Sequence, residues 1–307
     1  MALTIGQLSA ITRIHHVPKL VDNIFDSNAL LSRMKKGGSY QSWGGGTTIE
    51  VPLAYVANSA GGWFDGLDTL DTTDNDAFTA ASYSWAHAYE NITISDSDQI
   101  KNSGDAKVVD LIGAKTQWAE QSLKDILGTG LYNDGTTTNA IVGLDAAANS
   151  TTNTYGGINR STNSWWNPQI DSTTTSLSLP KMTSMYGDCR IDNDMPTILV
   201  STQDIWDSFH GLLQPQERFS DSDTASAGFK SLLFMGTPYI VDSHSPTDSL
   251  WFLNEKYMML KYHPDKNFSF EPFRRPVNQA GSFAKIFWSG QFCLNNARMQ
   301  GVMNALT

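Results

Sequence analysis

The chain has 307 residues, 40% of them hydrophobic, which is enough for one large packed domain or two ordinary ones. Its formal charge of -10 excludes a protein that grips nucleic acid by neutralising phosphates, because that mode needs clustered Lys and Arg. No run approaches the roughly eighteen apolar residues of a membrane helix, and the opening "MALTIGQLSAI" lacks the basic and long apolar regions of a signal peptide, so a cytosolic origin is expected.

The two cysteines, Cys189 and Cys293, lack CxxC spacing and read as reduced structural thiols. Of the 31 acids 25 are Asp, which prefers caps, turns and loops, so loops and strands should dominate.

In chain order, Pro18 to Lys36 reads as a helix with Leu20, Ile24, Leu31 and Met34 on one face. Arg33, Lys35 and Lys36 complement its negative end, and Gly37 and Gly38 stop it. Thr47 to Leu53 then alternates, with Ile49, Val51 and Leu53 on one strand face; Tyr83, Trp85, His87 and Tyr89 do the same, and the two strands predict a hairpin. The apolar parity moves to even numbers at Ile92 and Ile94, which predicts a bulge or a change of sheet near Asn91. Between the strands lies a long polar tongue, "NSAGGWFDGLDTLDTTDNDAF", of a length that is generally functional or disordered.

Ser103 or Asp105 can cap the strongest helix, in which Val109, Ile112, Thr116, Ala119, Leu123 and Ile126 recur at spacings of three and four, with Gly128 and Gly130 as its end. A Thr/Asn/Gly-rich connection leads to "YGGINRSTNSWW" at Tyr155 to Trp166. Beyond it "TILVS" reads as a buried strand and "STQDIWDSFHGLL" as a helix capped by Ser201 or Thr202. Three further segments read as strands with turns at Gly236, at Asn254 to Glu255 and at Ser289 to Gly290.

The motifs of nucleophilic, nucleotide-binding and zinc enzymes are absent, and no cofactor is expected. His15 and His16 are adjacent and point apart, which disfavours a shared metal. Asp65, Asp68, Asp71, Asp74 and Asp76 are the best candidate for a calcium ion, but the spacing, glycine and closing Glu of an EF-hand are missing and a solvated loop tip is the simpler reading. His87 on an aromatic strand face reads as a packed or interface residue. Nine tryptophans fit core and subunit contacts, or the sugar-stacking surface of a secreted carbohydrate-active enzyme, although no pair of carboxylates stands out in an aromatic setting.

Taken together, "GGGTTIEVPLAYVANSA", "DAKVVDLIGAKTQWAEQSLKDIL", Gly143-Leu144, "YGGINRSTNSWW" and "FRRPVNQAGSFAKIFWSGQFCLNNARMQG", in that order and over nearly the whole chain, resemble the major capsid proteins of tailed bacteriophages, the Hong Kong 97-type fold. The resemblance implies an α+β class. It divides the chain into an N-terminal arm (1–38), an extended E-loop with its strands (39–101), a peripheral domain with its spine helix (102–138), a mixed α/β axial domain (139–254) and a return to the peripheral sheet (255–307). It implies a structural, non-enzymatic protein that assembles in the host bacterial cytoplasm into hexamers and pentamers of an icosahedral shell around double-stranded DNA. Scaffolding, portal and decoration proteins are the implied partners, with no sequence-specific DNA contact and no membrane.

Gly156, Gly157, Arg160, Trp165 and Trp166 would form a structural joint where the chain enters the axial domain, and Trp63, Phe64, Asp65, Asp68 and Asp71, on the E-loop, would make contacts between neighbouring copies. Two departures from the founding phage are expected to matter. No lysine lies between Lys36 and Lys101, so covalent cross-linking through an E-loop lysine is not expected, and no long scaffold segment precedes the arm, which implies a separate scaffold or none. The alternative within the fold is an encapsulin-like compartment that encloses enzymes.

Overall fold

The computed structural model describes residues 28–57, 59–73, 76–97, 105–213 and 232–307, with backbone alone for 105–112. The expectations for His15, His16, Leu20, Ile24, Asp74 and Ser103 therefore lie outside the described residues, and those for Val109 and Ile112 outside the described side chains. The first described element is α1 (Ala29–Lys36), capped by the Asn28 side chain, which accepts from the Leu31 amide. It buries Leu30, Leu31 and Met34 and ends at Gly37 with Arg33, Lys35 and Lys36 in its last turn, as their placement predicts.

Strand β1 (Tyr40–Ser42) leads to β2 (Thr48–Ala54), which pairs antiparallel with β3 (Phe78–Ser84). Alternation decides which way this ribbon faces: Ile49, Val51, Leu53, Ala81 and Tyr83 are buried and their neighbours are exposed. The chain then changes sheet. The change comes at Trp85, six residues before the expected Asn91, because β4 (Ala86–Ser95) already carries its inward side chains on even numbers at Ala86, Ile92 and Ile94. His87 and Tyr89 consequently face out, away from the buried side that Tyr83 occupies.

The rod helix α2 (Asp105–Leu131) has 27 residues, about 40 Å at 1.5 Å per residue. Thr116, Ala119, Leu123, Leu127 and Leu131 make its buried stripe, whereas Ile126 is exposed. The helix also runs through Gly128 and Gly130 instead of stopping there. Both glycines are spaces for neighbours: a Cβ on Gly128 would sit 2.6 Å from the His244 ring, and one on Gly130 would sit 3.3 Å from Ile141. A short helix, α3 (Leu144–Ala148), and the two-stranded hairpin β5 (Thr154–Tyr155) and β6 (Ile158–Asn159) follow.

Beyond the hairpin come β7 (Gln169–Asp171), α4 (Leu179–Asp188), β8 (Ile198–Ser201), α5 (Gln203–Leu213), β9 (Leu232–Phe234), β10 (Thr237–Val241), β11 (Leu250–Leu253), β12 (Met258–Tyr262), β13 (Ser269–Arg274), β14 (Gly281–Leu294) and β15 (Gly301–Met303). Neither expected hydroxyl caps α5: the Thr202 hydroxyl is buried without a partner, and the Ser201 hydroxyl bonds the Thr202 carbonyl and the Tyr239 phenol.

Two larger sheets result. One has the order β1-β12-β14-β13, with β4 also paired to the long β14; the other runs β7-β15-β11-β8-β10-β9. In the second, β8 and β11 are buried on both faces. Leu199, Tyr239 and Phe252 pack beneath α4 and α5 with Met182, Met185 and Phe209, and Ile198, Val200, Trp251 and Leu253 join the main core. β15 belongs to this six-stranded sheet, whereas β12, β13 and β14 lie together in the other.

The turn at Gly236 is present between β9 and β10. At Ser289 and Gly290 no turn exists, because β14 continues without a break. Gly290 is small for another reason: a Cβ there would lie 2.4 Å from the Lys261 carbonyl oxygen and 2.7 Å from the Trp288 ring. Tight packing of β12 on β14 forbids a side chain at that point.

Candidate functional site

Two features named from the sequence, the tongue and the "YGGINRSTNSWW" segment, meet in space. The tongue leaves the β2–β3 ribbon, where the Tyr55 amide donates to the Ala77 carbonyl at 3.1 Å and closes its base. Beyond that base it carries Trp63 and Leu67 fully exposed, with Phe64 and Leu70 more than half exposed. Six of the twelve exposed large hydrophobic residues among the described ones lie between Val56 and Phe78. Soluble monomers seldom concentrate apolar side chains in this way outside an interaction site.

The tongue acids organise the loop locally. The Asp65 amide donates to Asp68 Oδ2 at 2.9 Å, and Asp71 Oδ1 accepts from the Thr73 amide and hydroxyl. Those two bonds from Thr73 hold the Asp71 carboxyl below its usual range. Among the described residues no group of three or more acids, histidines or cysteines is placed to share a metal ion.

The hairpin turns at Gly156 (φ +60°) and Gly157 (φ +75°), both in the left-handed region that side chains resist. Gly156 also packs directly on β3, since a Cβ there would lie 3.0 Å from Ala81 Cβ, and its carbonyl accepts from the Ser82 amide at 2.9 Å. Trp166 is buried with its indole N–H donating to the Tyr155 carbonyl at 3.0 Å. Ring contacts then run from the core to the base of the tongue: Tyr83 to Tyr155, Tyr155 to Trp166, Trp166 to Trp165, and Trp165 to Tyr55, whose ring centroids are 5.1 Å apart.

Arg160 is buried at 1% exposure without a carboxylate partner in the bonds it makes. Its Nη1 donates to the Ala146 and Ser150 carbonyls and to Asn153 Oδ1, and its Nη2 donates to the Ala147 carbonyl. Ala146 and Ala147 lie near the end of α3, so the guanidinium meets the negative pole of a helix whose last carbonyls lack intrahelical donors. Burial lowers its pKa to about 10, which leaves it charged at neutral pH.

Sequence reasoning found the glycines, Arg160 and the tryptophans but missed Tyr55, Tyr83 and Tyr155 as members of the same cluster. Tyr83 was visible only as part of a strand, and nothing local to it signals a ring contact with residue 155. His87 lies on β4 with its ring nitrogen Nδ1 2.9 Å from the Ser289 hydroxyl, at a groove of about 580 Å³ whose lining includes Tyr89, Ile126 and Trp288. Cys189 and Cys293 are free and buried, and burial pushes both thiols up to about 12.

No family model matches the sequence, and no curated protein does. Solved structures do match. A chain of the cyanophage A-1(L) capsid asymmetric unit is 18% identical with a TM-score of 0.62, over 87% of this chain and 89% of that one. The capsid of a native GTA particle gives 10% identity and a TM-score of 0.58 over 90% of each chain. An encapsulin complex from Synechococcus elongatus gives 12% and 0.57, over 87% of this chain and 84% of the other. At such identities the likeness establishes the fold: this chain has the α+β architecture shared by phage capsid and encapsulin shell proteins, as its sequence led one to expect.

Proposed function

We propose that this chain is the major capsid protein of a tailed bacteriophage, a structural subunit that builds an icosahedral shell around double-stranded DNA. The observation that carries this reading is the tongue, whose exposed Trp63, Phe64, Leu67 and Leu70 project from a well-packed body of capsid fold. Burial of such side chains is worth about 1.5–3 kcal/mol each, and a shell repeats the contact at every subunit. On this reading 1–38 is the arm, 39–101 the E-loop and its strands, 102–138 the spine region and 139–254 the axial domain. Residues 255–307 then return to the peripheral sheet except for β15, which completes the axial one. The net charge of -10 fits a container whose lumen must not pin its polymer. Scaffolding, portal and decoration proteins would be the partners, and the joint at Gly156, Gly157, Arg160, Trp165 and Trp166 would hold the E-loop base.

The test is expression of the full chain, size-exclusion chromatography and negative-stain microscopy, beside the triple variant Trp63→Ser, Leu67→Ser, Leu70→Ser. Closed particles are expected from the parent, with folded, unassembled subunits from the variant at a stability within about 0.5 kcal/mol of the parent. Normal particles from the variant would defeat the assignment of the tongue. The encapsulin likeness supports a second reading, a compartment for protein cargo. Particles that co-purify stoichiometrically with one host protein would favour it, and empty particles would favour the capsid.

A further inference from the structure

Between β1 and β2 a run of glycines passes beside the end of β12 and brings two indoles to two basic side chains. Lys261 on β12 and His263 just beyond it are two positions apart in extended backbone and so lie on one face of the sheet. Lys261 is 5% exposed, and its ammonium lies 3.9 Å from the centre of the Trp43 ring. Among the described residues no carboxylate pairs with that ammonium and no acceptor bonds it. Lysine is almost never buried to this depth without an acidic partner. Burial lowers its pKa, since the charge has given up water for an aromatic face.

The imidazole adds a second donor. His263 Nδ1 accepts from the Asp265 amide at 3.2 Å, so the neutral ring carries its proton on Nε2, and the charged ring carries one there as well. Nε2 faces the glycines, 3.7 Å from where a Cβ on Gly45 would stand. The Asp265 carboxylate, 87% exposed, stands 4.0 Å from the other nitrogen, Nδ1. Gly45 (φ +104°) and Gly46 (φ +111°) hold conformations that side chains resist, and the amides of Gly44, Gly45 and Gly46 donate to none of the described residues. Trp85 completes the cluster: its indole N–H donates to the Gly46 carbonyl at 2.8 Å, and its ring centre lies 5.8 Å from that of the imidazole. Both indoles are only half-buried.

We propose that Trp43, Gly44, Gly45, Trp85, Lys261 and His263 form a binding site for one nucleotide, whose phosphoryl group takes the ammonium, the Nε2–H and the glycine amides while its base stacks on an indole. Donor count selects the anion. The ammonium has three N–H groups and the imidazole one, before any amide is counted; a carboxylate offers two oxygens, a phosphate monoester three. Glycines let those oxygens reach the backbone, and successive free amides make an anion-binding concavity. An indole face left half open suits a base of any identity. The site takes a single phosphoryl group and not a strand, in keeping with the net charge of -10. It is built within one chain and does not rest on the shell reading.

The test is isothermal titration calorimetry on the full unassembled chain, with adenosine monophosphate, adenosine, inorganic phosphate and a short oligothymidylate as titrants. The monophosphate should bind about tenfold or more tighter than adenosine, which lacks the charge-assisted bonds, and about tenfold tighter than inorganic phosphate, which lacks the stacking. Lys261→Met keeps the packing of the stem and should weaken the monophosphate about tenfold or more while leaving adenosine unchanged. Gly44→Asp, at a position where a Cβ meets nothing within 4 Å, should fold normally and abolish monophosphate binding by setting a carboxylate in its approach. Lys256→Met, at an exposed lysine paired with Asp194, should bind as the parent does. Equal affinity for monophosphate and adenosine, inorganic phosphate bound as tightly as the monophosphate, an oligothymidylate bound more tightly than it, or parent-like binding by Lys261→Met or Gly44→Asp would each overturn the nucleotide site.

Discussion

Arg160→Met tests the hairpin directly, because Met retains much of the packing against Tyr155, whose ring centroid lies 5.1 Å from the guanidinium carbon, while removing charge and donors. Four hydrogen bonds disappear. The Ala146 and Ala147 carbonyls are bonded from within the core, at 3.0 Å and 2.6 Å, and losing a charged donor there costs about 1.5–3 kcal/mol each. The bonds to the Ser150 carbonyl and Asn153 Oδ1 are only partly buried, and water can replace them at about 0.5 kcal/mol apiece. Against that sum of roughly 4–7 kcal/mol stands the relief of a buried charge with no opposite partner, about 1–3 kcal/mol. A net destabilisation of about 3–4 kcal/mol is expected in urea unfolding of the unassembled protein followed by tryptophan fluorescence, with Arg160→Lys in between. A Met variant within about 1 kcal/mol of the parent would refute the argument from the α3 carbonyls. A fully stable variant unable to assemble would move Arg160 from the fold to the interface.

Gly290→Ala should destabilise by about 3 kcal/mol or more, since its Cβ would meet the Lys261 backbone oxygen at 2.4 Å in the middle of a sheet; calorimetry of the purified variant checks it. Cys189 and Cys293, with thiols raised to about 12, should resist alkylation at about pH 8 in the native protein and react fully in denaturant, as read by mass spectrometry.

The sequence was most legible where a residue acts on its own neighbours. Arg33, Lys35, Lys36 and Gly37 signal a helix end, and Ile49, Val51 and Leu53 show their strand face, because dipole complementarity and alternation are local; the extended Asn28 that caps α1 lay unread inside the helix expected from Pro18. It was least legible where a residue is small for the sake of a distant partner. Gly128 and Gly290 look like terminators, yet one makes room for His244 and the other for β12, contacts separated by 116 and 29 positions (244 − 128 and 290 − 261). The change of sheet at Trp85 was hidden by an unbroken row of aromatic residues. Trp85 sits at the junction of β3 and β4 and donates its indole N–H to the Gly46 carbonyl, a bond that no spacing announces. In the candidate site the glycines and Arg160 stood out because their types are costly to bury or bend, whereas Tyr55 and Tyr83 were ordinary strand and loop aromatics until the fold stacked them.

The charge on the tongue bears on how copies could meet. Asp65, Asp68, Asp71 and Asp76 sit within twelve residues, and no lysine or arginine lies anywhere from 37 to 100 to balance them. Two such tongues laid against each other about a two-fold axis would place like charges together at each repeat, with a penalty that grows as the contact dries. On the shell reading the tongue must therefore meet a different surface of its neighbour. Such a contact is heterologous, and heterologous contacts are the kind that close into rings when the rotation allows. The same acids would keep free copies apart before assembly, and high salt should weaken that repulsion while leaving the drive to bury Trp63 and Leu67 intact. Added salt is then expected to speed particle formation; slower assembly in salt would mean that ion pairs, and not apolar burial, dominate the contact.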